Sequence, residues 1–496
     1  MIADIDMEEV NLVLAAEDFP DAEFESNHFF TAHDQRCIAR LRAHGPVLLK
    51  GARGSGKSAL MIEAVSKMYP KNSQSNAIGI YLSLRHLGLL RSQGRKYEEL
   101  LCKLITSSVN KTLGEGTIEG EINEISILQD ILSEIASQQG KRIVLMFDDA
   151  AHIGREASLN DFFDIFRTLS NSIISCKASI YPGVTKFGTR FDVYNDATVI
   201  DLTRNEQSDD FCKTFMEIID KRFNRLFRKI SASSDIGAEK LTIFLARSVL
   251  GNMRSFLFAC QALTEQSQHS NKITITNISE AYKNLASNYY WPLIEEIEPK
   301  LGAYQPMVGI SLKIAETLFS KAADKQQRTV IILREINQNL LKPLEILEYT
   351  GFISRREVSR SMKSRGRGTR YALNICNLAE NLDGSRITLS LLEDWISNND
   401  DSVEFHRGSE LNSITLPEMN LDADLDILNR PIDKLSKSKA YPYGITPSKL
   451  DILKENNINT VEDLAQATDE QLLALEGLGD RTLNRLRSVI HQAIWM

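Results

Sequence analysis

Residues 46–69 read PVLLKGARGSGKSALMIEAVSKMY, and three pieces of this stretch fit together. Val47 to Lys50 is a short apolar run before a glycine, which predicts a buried strand entering a loop. From Ser58 onward Leu60, Met61, Ala64, Val65 and Met68 recur at three-and-four spacing, so the loop opens an amphipathic helix. Between them, Gly51-Ala52-Arg53-Gly54-Ser55-Gly56-Lys57-Ser58 matches G-x-x-x-x-G-K-[ST], and Ala59 continues into the helix. Glycines let successive backbone N–H groups curl round a phosphate, and the field of the helix N-terminus favours the negative charge. Lys57 is then expected to reach the β- and γ-phosphates of ATP, and Ser58 a Mg2+ ion.

Further apolar runs at 78–84, 143–147, 178–181 and 198–202 alternate with helical stretches, which predicts a parallel α/β sheet. One of them, Arg142-Ile-Val-Leu-Met-Phe147-Asp148-Asp149, ends in two carboxylates about ninety residues after the phosphate loop. Asp148 is expected to hold the metal through water, and Asp149 to orient or deprotonate an attacking water. An aspartate here makes the base one methylene shorter than a glutamate, so slow hydrolysis is expected.

The chain has 496 residues, room for about three domains, and ordinary globular proportions of 43% hydrophobic and 25% charged residues. With 58 basic against 66 acidic side chains the formal charge is −8, so any nucleic-acid contact must come from a local patch. Six cysteines lie scattered without a C-x-x-C pair, which argues against a disulfide framework or zinc site and for a reducing compartment. The acidic start MIADIDMEEV is not a secretory signal, and no stretch approaches about 18 consecutive apolar residues. A cytoplasmic protein without a membrane partner is expected. The eight histidines show no metal-ligand spacing, and His152 beside the second acidic motif reads as a packing residue.

In order and spacing, the two motifs resemble those of AAA+ ATPases, in particular the origin-recognition initiator-like branch found also in prokaryotes. The resemblance covers roughly 27–380. It implies an ATPase core over 27–205 after an N-terminal segment 1–26, a helical lid over 206–305 and a winged-helix domain over 306–381. Phe29-Phe30-Thr31 stands where such proteins place the adenine pocket, with Phe30 as its contact. Arg254, in Gly251-Asn252-Met253-Arg254, matches the lid arginine called sensor 2, and Thr185 falls at the polar sensor 1 position. A solvated helix charge is the other reading of Arg254. The resemblance also implies assembly as a homo-oligomer through neighbouring nucleotide sites.

The expected winged-helix region should contain helices followed by a two-stranded ribbon at 352–354 and 370–373. Arg355, Arg356, Arg360, Lys363, Arg365, Arg367 and Arg370 there face the single acid Glu357. Seven cations with flexible glycines among them suit a hairpin laid along a phosphate backbone; a solvated basic hairpin that docks an acidic partner or another subunit is the alternative reading. After a partly structured linker over 382–438, residues 439–496 form a helical unit. Asn457 to Leu464 and Leu475 to Leu483 resemble the helix-hairpin-helix domain at the C-terminus of the RNA polymerase alpha subunit. There Gly477 and Gly479 form a tight hairpin that can approach a phosphate, and Arg481 adds charge. The acidic neighbours Glu462, Asp463, Asp469, Glu470 and Glu476 keep a protein-docking role open.

The resulting expectation is a multidomain α/β protein: a P-loop parallel-sheet core, a helical lid, a winged-helix domain and a C-terminal all-α helix-hairpin-helix domain. Its function would be an ATP-driven switch that binds nucleic acid, most simply duplex DNA. The alternative is a signalling ATPase of prokaryotic antiviral defence that acts through a partner effector protein.

Overall fold

The computed structural model describes residue 16 and residues 21–151, 156–184, 187–188, 190–208, 210–233, 236–397, 401–419, 425–438, 441 and 444–495. Thr185, Lys186, His152 and most of the segment 1–20 lie outside the described residues.

Five strands, β1 (Val47–Lys50), β2 (Ala77–Ser83), β3 (Arg142–Ala151), β4 (Ile174–Ile180) and β5 (Thr198–Asp201), form a sheet of order β2-β3-β4-β1-β5. Its strands pair in parallel, with Ser83 beside Asp148 and Leu49 beside Ser179. Alternate residues of β3 face opposite sides of the sheet. Ile143, Leu145 and Phe147 join Leu101, Leu132, Phe162 and Phe166 from helices on one side. Val144 and Met146 join Ile38, Leu41, Leu60 and Met61 on the other. A parallel sheet covered on both faces needs such continuous apolar strands, which is why the runs were readable.

The helix Ala32–Arg42 begins with a capping box in which Thr31 and Asp34 satisfy each other's backbone N–H groups. Such a cap stabilises a helix by about 1 kcal/mol. The N-terminal segment carries a helix at Asp21–Asn27, whose Phe24 ring is buried and stacks on His28 at 4.1 Å.

After β5 the chain is helical, with Asp210–Arg222, Asn224–Ser231, Ala238–Ser248, Met253–Gln266 and Ile275–Leu285. Phe223 separates the first two of these, and the last continues through a π turn, Ala286–Tyr290, into Trp291–Ile297. Next come the helix Met307–Asp324, β6 (Thr329–Leu333), helices Arg334–Asn339 and Leu341–Thr350, and the ribbon β7 (Ile353–Ser361) and β8 (Arg367–Leu373). The ribbon is longer than expected and leaves only 362–366 as its tip. β8 pairs antiparallel with β6, whose other edge takes β9 (Val403–Phe405) in parallel. Much of the expected linker is therefore packed structure, including Leu389–Ile396, whose Trp395 is buried and donates its indole N–H to Gln326 O at 2.8 Å.

Leu425, Ile427, Leu428, Ile432 and Leu435 share an apolar cluster with the helices Pro447–Glu455, Val461–Gln466, Asp469–Leu473 and Asp480–Trp495. Capping boxes at Thr460/Asp463 and Thr468/Gln471 start two of these helices. Among the described residues no helix is long and apolar enough to cross a membrane.

Candidate nucleotide-binding site

The loop Gly51–Gly56 leaves the C-terminal end of β1 and turns into the helix Lys57–Ser66, the edge of a parallel sheet where ligands bind. Gly54 and Gly56 have φ of 78° and 97°, left-handed values that side chains other than glycine's rarely adopt. This is a P-loop α/β core.

Lys57 is buried, and its ammonium donates to Gly51 O at 2.8 Å and Ala52 O at 3.1 Å while lying 3.6 Å from the centre of the Tyr181 ring. Burial pulls its pKa down to about 7, partly opposed by Asp149 and Asp148 and reinforced by Arg254 and Arg85. Arg53 and Arg254 also lie within electrostatic reach of each other, with Glu296 on the far side of Arg53. Four cations thus crowd around three carboxylates. The Nε and Nη1 of Arg53 and the Oγ of Ser55 are buried without a hydrogen-bond partner, groups whose desolvation an anion of several oxygens would offset.

Asp148 and Asp149 sit where the β3–β4 register shifts between Phe147 and Ala151, inside the strand and not at its end. Both Asp148 oxygens are engaged: Oδ1 accepts from Ser179 Oγ at 2.6 Å and Asp149 N at 2.9 Å, and Oδ2 from Tyr81 OH at 2.7 Å. That arrangement suits a carboxylate acting on a metal through water, and among the described residues no group of three or more His, Cys, Asp or Glu could hold a metal. A Mg2+ ion would therefore need the Ser58 hydroxyl and phosphate oxygens as partners. Asp149 has a left-handed φ of 53°. Its Oδ1 accepts from Tyr181 OH at 2.9 Å and its Oδ2 lies 2.6 Å from Arg85 Nε. The expected base is thus clamped by a cation that the motif does not contain.

The lid is seated on the loop. Asn252 caps the helix Met253–Gln266 through Ser255 N and donates its amide to Arg53 O at 2.7 Å, while Arg254 N donates to Gly54 O at 3.0 Å. Arg254 is accordingly placed at the phosphate loop. Phe30, Ala59 and Gly56 line a cavity of about 60 Å³ closed by Met253 and Leu257 of the same lid helix. Glu206, just after β5, has its side chain only 7% exposed among Arg356, Arg328 and Arg247; burial opposes its ionisation, but the three guanidiniums outweigh that and hold its carboxyl below the usual range.

The expected nucleic-acid residues fall into two sets. Within the ribbon, Arg355 pairs with Glu348 at 2.8 Å, Arg356 with Glu206, Arg360 and Arg370 with Glu357 at 2.6 and 3.1 Å, and Lys363 with Asp401 at 2.7 Å. Arg367 donates to Ser359 Oγ at 2.7 Å, and Arg365 is exposed at the tip. Five of the seven cations are thus ion-paired, three of them to acids outside a run that looks unbalanced in sequence. In the C-terminal unit Gly477 has φ 87°, its carbonyl accepts from Lys449, and Gly479 precedes the helix Asp480–Trp495 with Arg481 exposed.

The motif does not reveal Tyr81, Arg85, Ser179, Tyr181 or Asn252. All but Asn252 sit at or just past the C-terminal ends of parallel strands, and that position was the available signal.

No family model matches the chain, and no curated protein does. Solved structures do match over most of its length, at low similarity. A Walker-type ATPase of Pyrococcus abyssi is 14% identical, with 74% of this chain and 96% of that one covered at a TM-score of 0.41. The Aeropyrum pernix ORC1 protein, solved in complex with DNA, is 13% identical over 77% of this chain and 95% of that one, TM-score 0.35. A signal transduction ATPase with a tetratricopeptide repeat sensor from Pyrococcus horikoshii is 14% identical over 71% of this chain and 43% of that one, TM-score 0.29.

Proposed function

We propose that this chain is an ATP-binding and slowly hydrolysing switch of the AAA+ initiator-like type, whose winged-helix ribbon and helix-hairpin-helix unit bind duplex nucleic acid. The observation that carries the nucleotide reading is the phosphate loop itself. Lys57, Arg53 and Arg254 are gathered round it with orphaned guanidinium and hydroxyl groups on Arg53 and Ser55. A triphosphate supplies the oxygens these groups lack, and Mg2+, held by Ser58 and by Asp148 through water, would offset part of its charge.

The γ-phosphate would lie among Lys57, Asp148 and Arg254, so it would tie core to lid. The loop and lid are already joined through Asn252 and Arg254. From the lid the change would pass through Arg247 to Glu206 and on to Arg356 of the ribbon, one charge network shared by the lid and the ribbon-bearing unit. Arg360, Lys363, Arg365 and Arg367 at the ribbon tip and Gly477, Gly479 and Arg481 at the hairpin would then grip the nucleic-acid backbone. Assembly through neighbouring nucleotide sites belongs to the same proposal.

Calorimetric titration with ATP and Mg2+ tests the nucleotide part. Micromolar or tighter binding is expected, weakened at least a hundredfold by Lys57→Ala; equal affinity in the two proteins would refute it.

A further inference from the structure

We infer that the C-terminal helical unit is a brake on hydrolysis in cis: docked on the short helix Leu87–Arg91, it keeps Arg85 on Asp149. This rests on the ATPase reading above and adds its regulation.

The path is short. β2 ends at Ser83; Leu84 N donates to Asp148 O at 2.9 Å, and Arg85 then turns inward so that its Nε lies 2.6 Å from Asp149 Oδ2. Two residues on, the helix Leu87–Arg91 begins. That helix does not stand free. Leu87 and Leu90 pack against the apolar cluster of the C-terminal unit, and the Arg91 guanidinium pairs with Glu462 at the start of the helix Val461–Gln466. Gln466 holds Glu462 in place through a 2.6 Å hydrogen bond.

Arg85 itself lines the groove of about 790 Å³ between the two units, opposite Gln466, Asp469, Arg487 and Ile490. The acid in that groove, Asp469, is paired with Arg487 at 2.7 Å, so it does not draw Arg85 away. In the docked arrangement, then, the helix is pinned from outside and Arg85 is directed inward.

In hydrolysis a water oxygen bonds to the γ-phosphorus, the bond to the ADP oxygen breaks, and the water's proton passes to a base. Arg85 and the Tyr181 hydroxyl stand on the Asp149 carboxylate where the attacking water would have to be held, so Asp149 cannot position that water. Release of the C-terminal unit, for instance when a ligand captures its Gly477–Arg481 hairpin, frees the helix Leu87–Arg91 and lets Arg85 swing off Asp149.

The test is turnover in the full chain carrying Arg91→Glu, Glu462→Arg or both, with Leu90→Asp added to each single reversal to ensure release. X-ray scattering reports docking, and titration with ATP reports nucleotide affinity. Each released variant should turn over at least fivefold faster at unchanged affinity, and the double swap should return to within twofold of the parent. Arg85→Ala should accelerate turnover with the unit still docked. Released variants that hydrolyse at the parental rate would overturn the brake, as would a unit that none of the changes releases. Failure of the parent to bind ATP would instead refute the reading beneath it.

Discussion

Lys57 shows how far a buried cation depends on what it meets. Burial brings its pKa to about 7, and the Gly51 and Ala52 carbonyls are weak substitutes for a phosphate. A triphosphate stabilises the charged form, so above pH 7 binding must carry a proton in with it. Between pH 7.5 and 9, where the phosphates are fully ionised, affinity should fall by up to about tenfold per pH unit. Calorimetry at pH 8.5 in buffers of different ionisation enthalpy should find uptake of nearly one proton, and Lys57→Met should abolish it. Lys57 was legible because the motif names it. Arg85 was not, since nothing local couples it to Asp149; only the parallel pairing of β2 with β3 brings them together. The ion pairs of the ribbon cations were hidden for the same reason: their partners Glu206, Glu348 and Asp401 lie outside the run that was counted.

The hinge between loop and lid is a matter of elements. A Cβ on Gly54 would come within 2.6 Å of Arg254 Cβ and 2.9 Å of Asn252 Oδ1, at a φ of +78° that already disfavours a side chain. Gly54→Ala should therefore push the N-terminal turn of the helix Met253–Gln266 off the loop. Nucleotide affinity should drop at least tenfold with little loss in unfolding free energy, checked by titration beside a urea melt. The sequence shows the loop, its helix and the five strands well, because a sheet buried on both faces demands unbroken apolar runs. It shows the ribbon less well: β7 carries serines and arginines through its length, which reads as loop, and β6 and β9 are short strands paired only through tertiary structure. Breaks such as the Ala286–Tyr290 π turn leave the helical spacing of apolar residues almost unchanged, so periodicity passes over them.

Across the whole molecule, the lid and the ribbon-bearing unit share one apolar cluster, while the C-terminal unit has its own and touches the core through Leu87, Leu90 and Arg91 and the lid where Asp426–Asn429 meets Glu298–Lys300. With a net charge of −8 and most ribbon cations paired internally, a grip on duplex DNA must rest on few contacts. About four phosphates neutralised at the ribbon tip and hairpin correspond to a slope near −3.6 in log affinity against log salt. The measurement that bears most directly on this protein is ATP turnover with and without duplex DNA at 50 and 200 mM salt, made in parallel on Lys57→Ala and on the triple change Lys363→Ala, Arg365→Ala and Arg367→Ala. The expected result is slow basal turnover, stimulated by DNA at the lower salt and not at the higher, with stimulation lost in both variants. DNA that neither binds nor alters turnover at the lower salt would contradict the account and make the ribbon and hairpin surfaces for a protein partner.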